Sequence, residues 1–288
     1  MKSDLLKTVL TIAGSDPSGG AGIQADIKTF TTVGVYCGAV ITAVTCQNTR
    51  GVGYFSSLSP TLVKDQINSV LTDLNVSHIK IGMLGSAEIA ESVRQCLNDY
   101  EGEIIFDPVR AAGSGDPLYH GRGQEGLGAE MEGIVRLATV ITPNLDELAA
   151  LSKTACPDSE TALQAAGQLL TEFPGLRAVC LTGGHLNEAP EMVTDFLVNR
   201  ADSEYGGESS SDEPSVHLNS HPFIKSSNLH GTGCTFSSAF TAYHLLSGDD
   251  RTAFTRASEF TARLIEKSAP YSIGRGNGPL LHSLFNSS

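Results

Sequence analysis

One pattern recurs along the 288-residue chain and restricts what it can fold into. A short, apolar, β-branched run gives way to a turn rich in glycine, proline or acid, and then to a stretch with apolar residues at helical spacing. Thr8–Ala13 leads into the loop Gly14–Gly22 and a helix carrying Ile23, Ile27 and Phe30, with Gly34 as its stop. Tyr36–Cys46 leads to the polar cluster Gln47–Gly51. Ser59-Pro60 is a helix start, Ser as cap and Pro at the first helical position, for a face made of Val63, Ile67, Val70, Leu71 and Leu74. His78–Ile81, Ile104–Phe106, Val140–Thr142 and Ala178–Leu181 read as further strands, with helices over Ser86–Leu97, from Pro143 onward and over Asp158–Phe173. Val193–Val198 and the alternating Ser215–Ile224 read as hairpin strands around the polar, acidic segment 200–214, expected to be an exposed excursion. Two helices, 236–246 and 251–268, complete the core, while 121–133 carries little structural signal. Strand and helix in alternation predict a three-layer α/β/α fold with a mostly parallel central sheet. With no boundary signal and no internal repeat, the expectation is one domain over residues 1–288.

In a parallel sheet the carboxyl ends of the strands share one edge, and ligands lie beyond it. Gly14, Gln47, Met83, Asp107, Asn144 with Glu147, and Thr182 with Gly183 all follow strands, so they should converge. Gln47 offers a donor and an acceptor to the edge of a heterocycle, or else closes a turn. Met83 could cover a flat ligand or fill the core. Asp107, an acid at the end of a buried strand, suits the water shell of a metal. Asn144 and Glu147, three residues apart, also form a capping box, and read locally the cap comes first. Asp26 sits early in the helix after the glycine loop, where the dipole favours an acid. That loop resembles a phosphate cradle but lacks the GxxxxGK[ST] pattern.

His230-Gly231-Thr232-Gly233-Cys234 lies where a loop becomes a helix. The first amides of a helix have no internal partner and favour an anion. Gly231 and Gly233 let backbone and ligand approach closely. Cys234 would hold its thiol beside that anion, where a lowered pKa is expected. The alternative is an ordinary glycine-bearing helix entry with a buried cysteine. The net charge of −13 argues against nucleic acid or an anionic membrane as partner, so any phosphate must be attracted locally. Six scattered cysteines without a CxxC fit reduced thiols. The opening residues lack a secretory apolar region and no run is long enough to span a bilayer, so a cytoplasmic protein is expected.

Together these stretches resemble the hydroxymethylpyrimidine/phosphomethylpyrimidine kinases of thiamine biosynthesis, in the ribokinase-like superfamily. The likeness is carried by Thr11–Phe30, Ile41–Thr49, Lys80–Leu84, Ser114–Leu118, Ile141–Asn144, Gly183–Leu186 and His230–Cys234, and spans nearly the whole chain. It implies a ribokinase-like fold without a separate lid domain. It further implies ATP-dependent phosphorylation of a pyrimidine's hydroxymethyl group and then of the monophosphate. By matching position, Gln47 should read the pyrimidine's amino and ring-nitrogen edge, with Gly14, Asp26 and Met83 lining the same pocket. Cys234 takes the base position, the amides of Gly231, Thr232 and Gly233 hold charge on the transferred phosphoryl group, and Asn144 and Glu147, with Asp107 nearby, organise Mg²⁺. Thr182, Gly183 and Arg275 fall to the nucleotide. A homodimer is expected from the family alone.

Two departures stand out. Many family members carry Lys where this chain has Gly113, and again where it has Thr182. Arg110 or Arg275 could supply the missing charge. The rival readings are a pyridoxal or pyridoxine kinase, which also acts on a hydroxymethyl-bearing ring, and a weakly active or non-catalytic binder of thiamine precursors. A sugar kinase fits Cys234 and Gln47 less well.

Overall fold

The computed structural model describes residues 6–113, 115–120, 128–183, 191–200 and 214–286. Its elements run β1 (Thr8–Ser15), α1 (Gly22–Val33), β2 (Cys37–Asn48), β3 (Gly51–Ser57), α2 (Pro60–Leu71), β4 (Val76–Ile81), β5 (Gly85–Ser86), α3 (Ala87–Leu97), β6 (Glu103–Phe106), β7 (Tyr119–His120), α4 (Gly128–Val135), β8 (Val140–Ile141), α5 (Leu145–Ser152), α6 (Ser159–Glu172), β9 (Ala178–Leu181), β10 (Met192–Asn199), β11 (Ser215–Pro222), α7 (Thr232–Ser247) and α8 (Asp250–Ser268). Nine strands form one sheet in the order β11-β10-β9-β8-β6-β4-β1-β2-β3. The six strands from β9 to β2 are parallel, and antiparallel strands are added at both ends. The expected three-layer α/β/α architecture is what the chain adopts.

The pleat explains the layers. Ile104 and Phe106 point into one core with α2 to α6, whereas Ile105 between them joins Phe236, Phe240 and Phe254 of α7 and α8 on the opposite face. Val179 and Leu181 face the first core, and Ala178 and Cys180 face the second. Strands buried on both faces are apolar throughout, which is why their sequences read as continuous runs.

Two features escaped the sequence. β2 continues through Gln47 and turns back into β3, so the cluster Gln47–Gly51 is a hairpin rather than a free loop. Gly51 and Gly53 interrupt the strand signal there. Helix α4 begins inside the stretch that carried little signal and runs two residues past it. β10 and β11 pair antiparallel as expected, but 201–213 of the acidic segment lie outside the described residues. Among the described residues no helix is long and apolar enough to cross a membrane.

β1 is the switch point of the sheet, with β2 on one side and β4 on the other. The chain leaves β1 in one direction and later crosses back, which opens a crevice beyond its carboxyl end.

Candidate active site

The loop after β1 is organised by Asp16, which is 2% exposed. Its carboxylate accepts from the Ser18 amide and hydroxyl (2.8 and 2.7 Å), the Gly20 and Ala21 amides (3.0 and 2.9 Å), and His230 Nε2 (2.8 Å). Burial opposes its charge, but these bonds, that of His230 foremost, hold the carboxyl down at about 2. Asp16 therefore ties the glycine loop to the loop before α7. Neither it nor His230 was singled out from the sequence, although both stand in the motifs that carry the resemblance.

The two loops bring two helix starts together. Neither Ala21, before α1, nor Gly231, before α7, caps its helix with a side chain. At the start of α7 the Thr232 amide turns back to the Leu229 carbonyl (3.3 Å), and the amides of Gly233 and Cys234 are the ones left for an anion. Gly231 has φ +84, and a Cβ there would collide with the Gly20 carbonyl oxygen, so only glycine allows the approach. The Gly22 backbone next to the Cys234 sulfur favours the thiolate, the weakest of the influences on it.

A cavity of about 860 Å³ opens at this edge, lined among others by Gly14, Gln47, Met83, Asp107, Asn144, Glu147, Gly231, Thr232, Gly233 and Cys234. Gln47 and Cys234 thus share one cleft, the arrangement on which the sequence reading rests. A Cβ on Gly14 would stand 2.6 Å from the Met83 sulfur, so glycine there lets Met83 reach the cavity wall. The hydroxyls of Thr142 and Tyr119 are buried without a hydrogen-bond partner among the described residues, and both residues line the cavity. Unsatisfied polar atoms of this kind mark places where a ligand or its water completes the bonding.

A second cavity of about 610 Å³ shares Gln47, Gly113, Thr182, Thr232 and Gly233 with the first. Its further walls include Ile224, Ala262 and Ile265, which with the shared Phe236 suit a flat apolar group. Both positions where lysine is missing, Gly113 and Thr182, stand at the junction.

Asp26 is a correction. It was expected on the pocket wall, but it is fully buried behind it. Its carboxylate accepts from Lys80 Nζ (3.1 Å), Thr11 (2.6 Å) and Ser238 (2.8 Å). Lys80 takes its place at the cavity, a buried cation that also stands 3.8 Å from Asp107. It opens the stretch Lys80–Leu84 that carries the resemblance, but an isolated lysine in a strand gave no reason to single it out.

Cys234 is a second correction. Burial pushes its thiol up to about 12, Asp107 and Asp26 push the same way, and Lys80 only partly opposes them. The expected lowering by the helix end is overruled. Arg275 is a third: it is exposed and lines neither cavity, while its neighbours Gly276 and Asn277 do. The Arg275 and Gly276 amides both donate to Thr49 Oγ1 at 3.1 Å, which fastens the 274–279 loop to the β2–β3 hairpin. Gly183 lines neither cavity and donates its amide to Asp195 (2.9 Å). Residues 184–186 of that motif lie outside the described residues.

Asn144 and Glu147 do form the capping box, with bonds of 2.8 and 2.9 Å, and they face the cavity as well. The two readings are not exclusive. Burial first, and then the charge of Asp107, raise the Glu147 carboxyl to about 8, and burial likewise raises Asp107. Two buried carboxyls that disfavour each other's ionisation fit a cation. Their hard oxygens are too few for a closed cage and suit Mg²⁺, which keeps water and phosphate oxygens in its shell. Among the described residues no cluster of three or more metal-binding side chains supplies a fuller site.

Comparison with known proteins gives this geometry a family. Residues 16–281 match the family described as phosphomethylpyrimidine kinase. The hydroxymethylpyrimidine/phosphomethylpyrimidine kinase of Haemophilus influenzae is 40% identical over 280 residues, 96% of this chain and 97% of that protein. The thiamine biosynthesis bifunctional protein ThiED of Geobacter sulfurreducens is 39% identical over 279 residues, 96% of this chain, which spans about half (52%) of that protein's length. Among solved structures, the ADP complex of Bacillus subtilis pyridoxal kinase superposes with a TM-score of 0.80 at 28% identity, covering 98% of this chain and 100% of the other. On the matched length and these identities, the chain belongs to the phosphomethylpyrimidine kinase family.

Proposed function

We propose that the protein transfers the terminal phosphoryl group of ATP to the hydroxymethyl group of an aminopyrimidine, and then to the resulting monophosphate, for the assembly of thiamine. The observation that carries this reading is the placement of Gln47, Met83 and Gly14 in the same cavity as Cys234 and the start of α7. Gln47 offers paired hydrogen bonds to a heterocycle, Met83 covers its face, and the ring's hydroxymethyl group is then directed toward the helix start. The adjoining apolar cavity receives the nucleoside, so that the phosphates cross the junction at Thr232 and Gly233.

Phosphoryl transfer needs alignment and charge stabilisation more than covalent work by the protein. The uncapped amides at the start of α7 hold the equatorial oxygens, where fixed dipoles cost no reorganisation. Lys80 supplies positive charge from below. Asp107 and Glu147 would hold Mg²⁺, which when bound neutralises phosphate charge. Cys234 accepts the hydroxyl proton. Burial first, and then the nearby carboxylates, keep it a thiol in the free protein, so its own proton must leave to solvent before the thiolate can take the hydroxyl proton.

Incubation with ATP, Mg²⁺ and hydroxymethylpyrimidine, followed by separation of products, tests the proposal. Mono- and diphosphate products are expected, and ATP consumed only with pyridoxal would overturn it. Pyridoxal phosphorylation is the second reading, favoured by the close superposition on pyridoxal kinase.

A further inference from the structure

The hairpin that carries Gln47 has a second duty at its tip. Thr49, two residues further on, lines the smaller cavity, and its hydroxyl accepts the amides of Arg275 and Gly276, both at 3.1 Å. A hydroxyl oxygen has two lone pairs, so both are committed to this one loop. The loop has little else to hold it. Residues 271–277 are exposed throughout, and burial resumes only at Gly278. Its two ends are anchored. The buried Asn228 donates to the Ser268 and Tyr271 carbonyls at 2.7 Å. The Gly278 amide donates to the Ser227 carbonyl (2.8 Å), while the Gly278 carbonyl accepts from the His230 amide (3.1 Å). Between these anchors, over 272–277, the bonds to Thr49 are the hydrogen bonds found among the described residues. The contact is shaped from the side of the loop as well. A Cβ on Gly274, whose φ is +77, would strike the Thr49 side chain, and one on Gly276 would strike the Thr49 carbonyl oxygen. Two glycines thus let the loop lie directly on the hairpin tip, and Gly276 and Asn277 become a wall of the smaller cavity.

We infer that Thr49 is a positioning residue for the nucleotide: its hydroxyl fixes the loop 272–277 on the β2–β3 hairpin and so completes the cavity wall formed by Gly276 and Asn277. The inference rests on the proposed function, in which that cavity receives the nucleoside. Without its central tie, an exposed segment samples many conformations, and each binding event must order it again. That entropy falls on nucleotide affinity. The acceptor cavity is lined neither by Thr49 nor by any residue of this loop, so pyrimidine binding is spared. Arg275 takes part through its main chain alone, which is why its side chain can stand outside both cavities.

Two measurements on the full chain test this: calorimetric titration with ADP in the absence of pyrimidine, and steady-state kinetics with ATP and hydroxymethylpyrimidine. They compare the wild type with Thr49→Val, Thr49→Ser and Gly274→Ala. Valine keeps the shape and loses the acceptor, whereas serine keeps the acceptor. Alanine at 274 disturbs the same contact from a residue that lines neither cavity. Thr49→Val and Gly274→Ala should each weaken ADP binding and raise the KM for ATP roughly tenfold, the net effect of one or two hydrogen bonds. The KM for hydroxymethylpyrimidine and kcat should stay within about twofold, and Thr49→Ser should match the wild type to the same degree. Unchanged ADP affinity in Thr49→Val overturns the inference. So does a loss that Gly274→Ala does not share, since Thr49 would then touch the nucleotide itself. A fall in kcat with both KM values shifted together marks a merely structural role and also overturns it. A wild type that binds ADP but phosphorylates no pyrimidine overturns the proposed activity, while the ADP titrations still decide the role of Thr49. A wild type that does not bind ADP overturns both.

Discussion

The ammonium of Lys80 lies 3.1 Å from Asp26 Oδ1, with both side chains fully buried. Asp107 adds a second carboxylate at 3.8 Å. Burial opposes the Lys80 charge, yet the two acids raise its pKa above the ordinary lysine value. The base of the active site is therefore an internal ion cluster, with Ser238 and Thr11 satisfying the remaining Asp26 lone pairs. Replacing Lys80 by Met fills the space but leaves two uncompensated acids. Breaking a buried pair from one side costs about 3–5 kcal/mol. Urea denaturation of Lys80→Met should show a loss of that size, and adding Asp26→Asn should recover much of it. A loss of less than about 1 kcal/mol would mean that the charges do not stabilise the fold.

The raised thiol of Cys234 gives a kinetic signature. With a pKa near 12, only a trace of thiolate exists at neutral pH, and thiolate is the reactive form. Alkylation by iodoacetamide, followed by peptide mass analysis, should be slow at pH 7.5 and rise about tenfold per pH unit toward that value. A rate that levels off near pH 8 would contradict the structure. Substitution by Ala should lower kcat by roughly 10²-fold or more, the usual contribution of a positioned base.

Arg110 lines the acceptor cavity beside Gly113, whereas Arg275 lines neither cavity. Of the two arginines that could replace the missing lysines, only Arg110 is placed to do so. Arg110→Ala should raise the apparent KM for ATP roughly tenfold, the effect of one charge-assisted bond. Arg275→Ala should change it by less than about twofold. Equal effects in a steady-state titration of ATP would refute the distinction.

Acid should remove a stabilising contribution of two buried histidines between pH 6.5 and 4. Burial depresses His78 and His282 from 6.5 to about 4. His282 Nε2 faces the hydroxyls of Thr29 and Thr235, while its Nδ1 meets the Leu280 carbonyl, so the ring is held neutral. A histidine whose folded pKa lies below its unfolded value is protonated first in the unfolded chain. Its contribution is therefore complete above pH 6.5 and is lost as pH falls toward 4. Each ring accounts for roughly 3 kcal/mol across that window. Glu147, raised to about 8, contributes with the opposite sign in this range, so the readout is a difference: denaturant midpoints from pH 7 to pH 4 should fall less, or rise more, in His282→Gln than in the wild type. Asp16, lowered to about 2, acts in a separate window, its contribution disappearing below pH 3.8.

Much of the architecture is written in local patterns. Apolar runs such as Ala178–Leu181 can only be buried strands, and the helix starts at Ser59-Pro60 and Asn144 declare themselves through capping chemistry. Once the strands are parallel, Gln47, Met83, Asp107 and Cys234 must gather at one edge, whatever the side-chain details. The β3 strand was hidden because Gly51 and Gly53 dilute its pattern, and only pairing with β2 makes it a strand.

What the chain by itself determined was therefore which residues meet. What only the tertiary structure decided was their state. Asp26 looks like a pocket acid until Lys80, from another strand, claims it. Cys234 looks activated until burial and two carboxylates outweigh the helix end. Gln47 has no neighbour in sequence that marks a pocket until His230, 183 residues away, comes within 3.2 Å of it. Charge and hydrogen-bond polarity depend on the groups within a few ångströms, and long-range folding selects those groups.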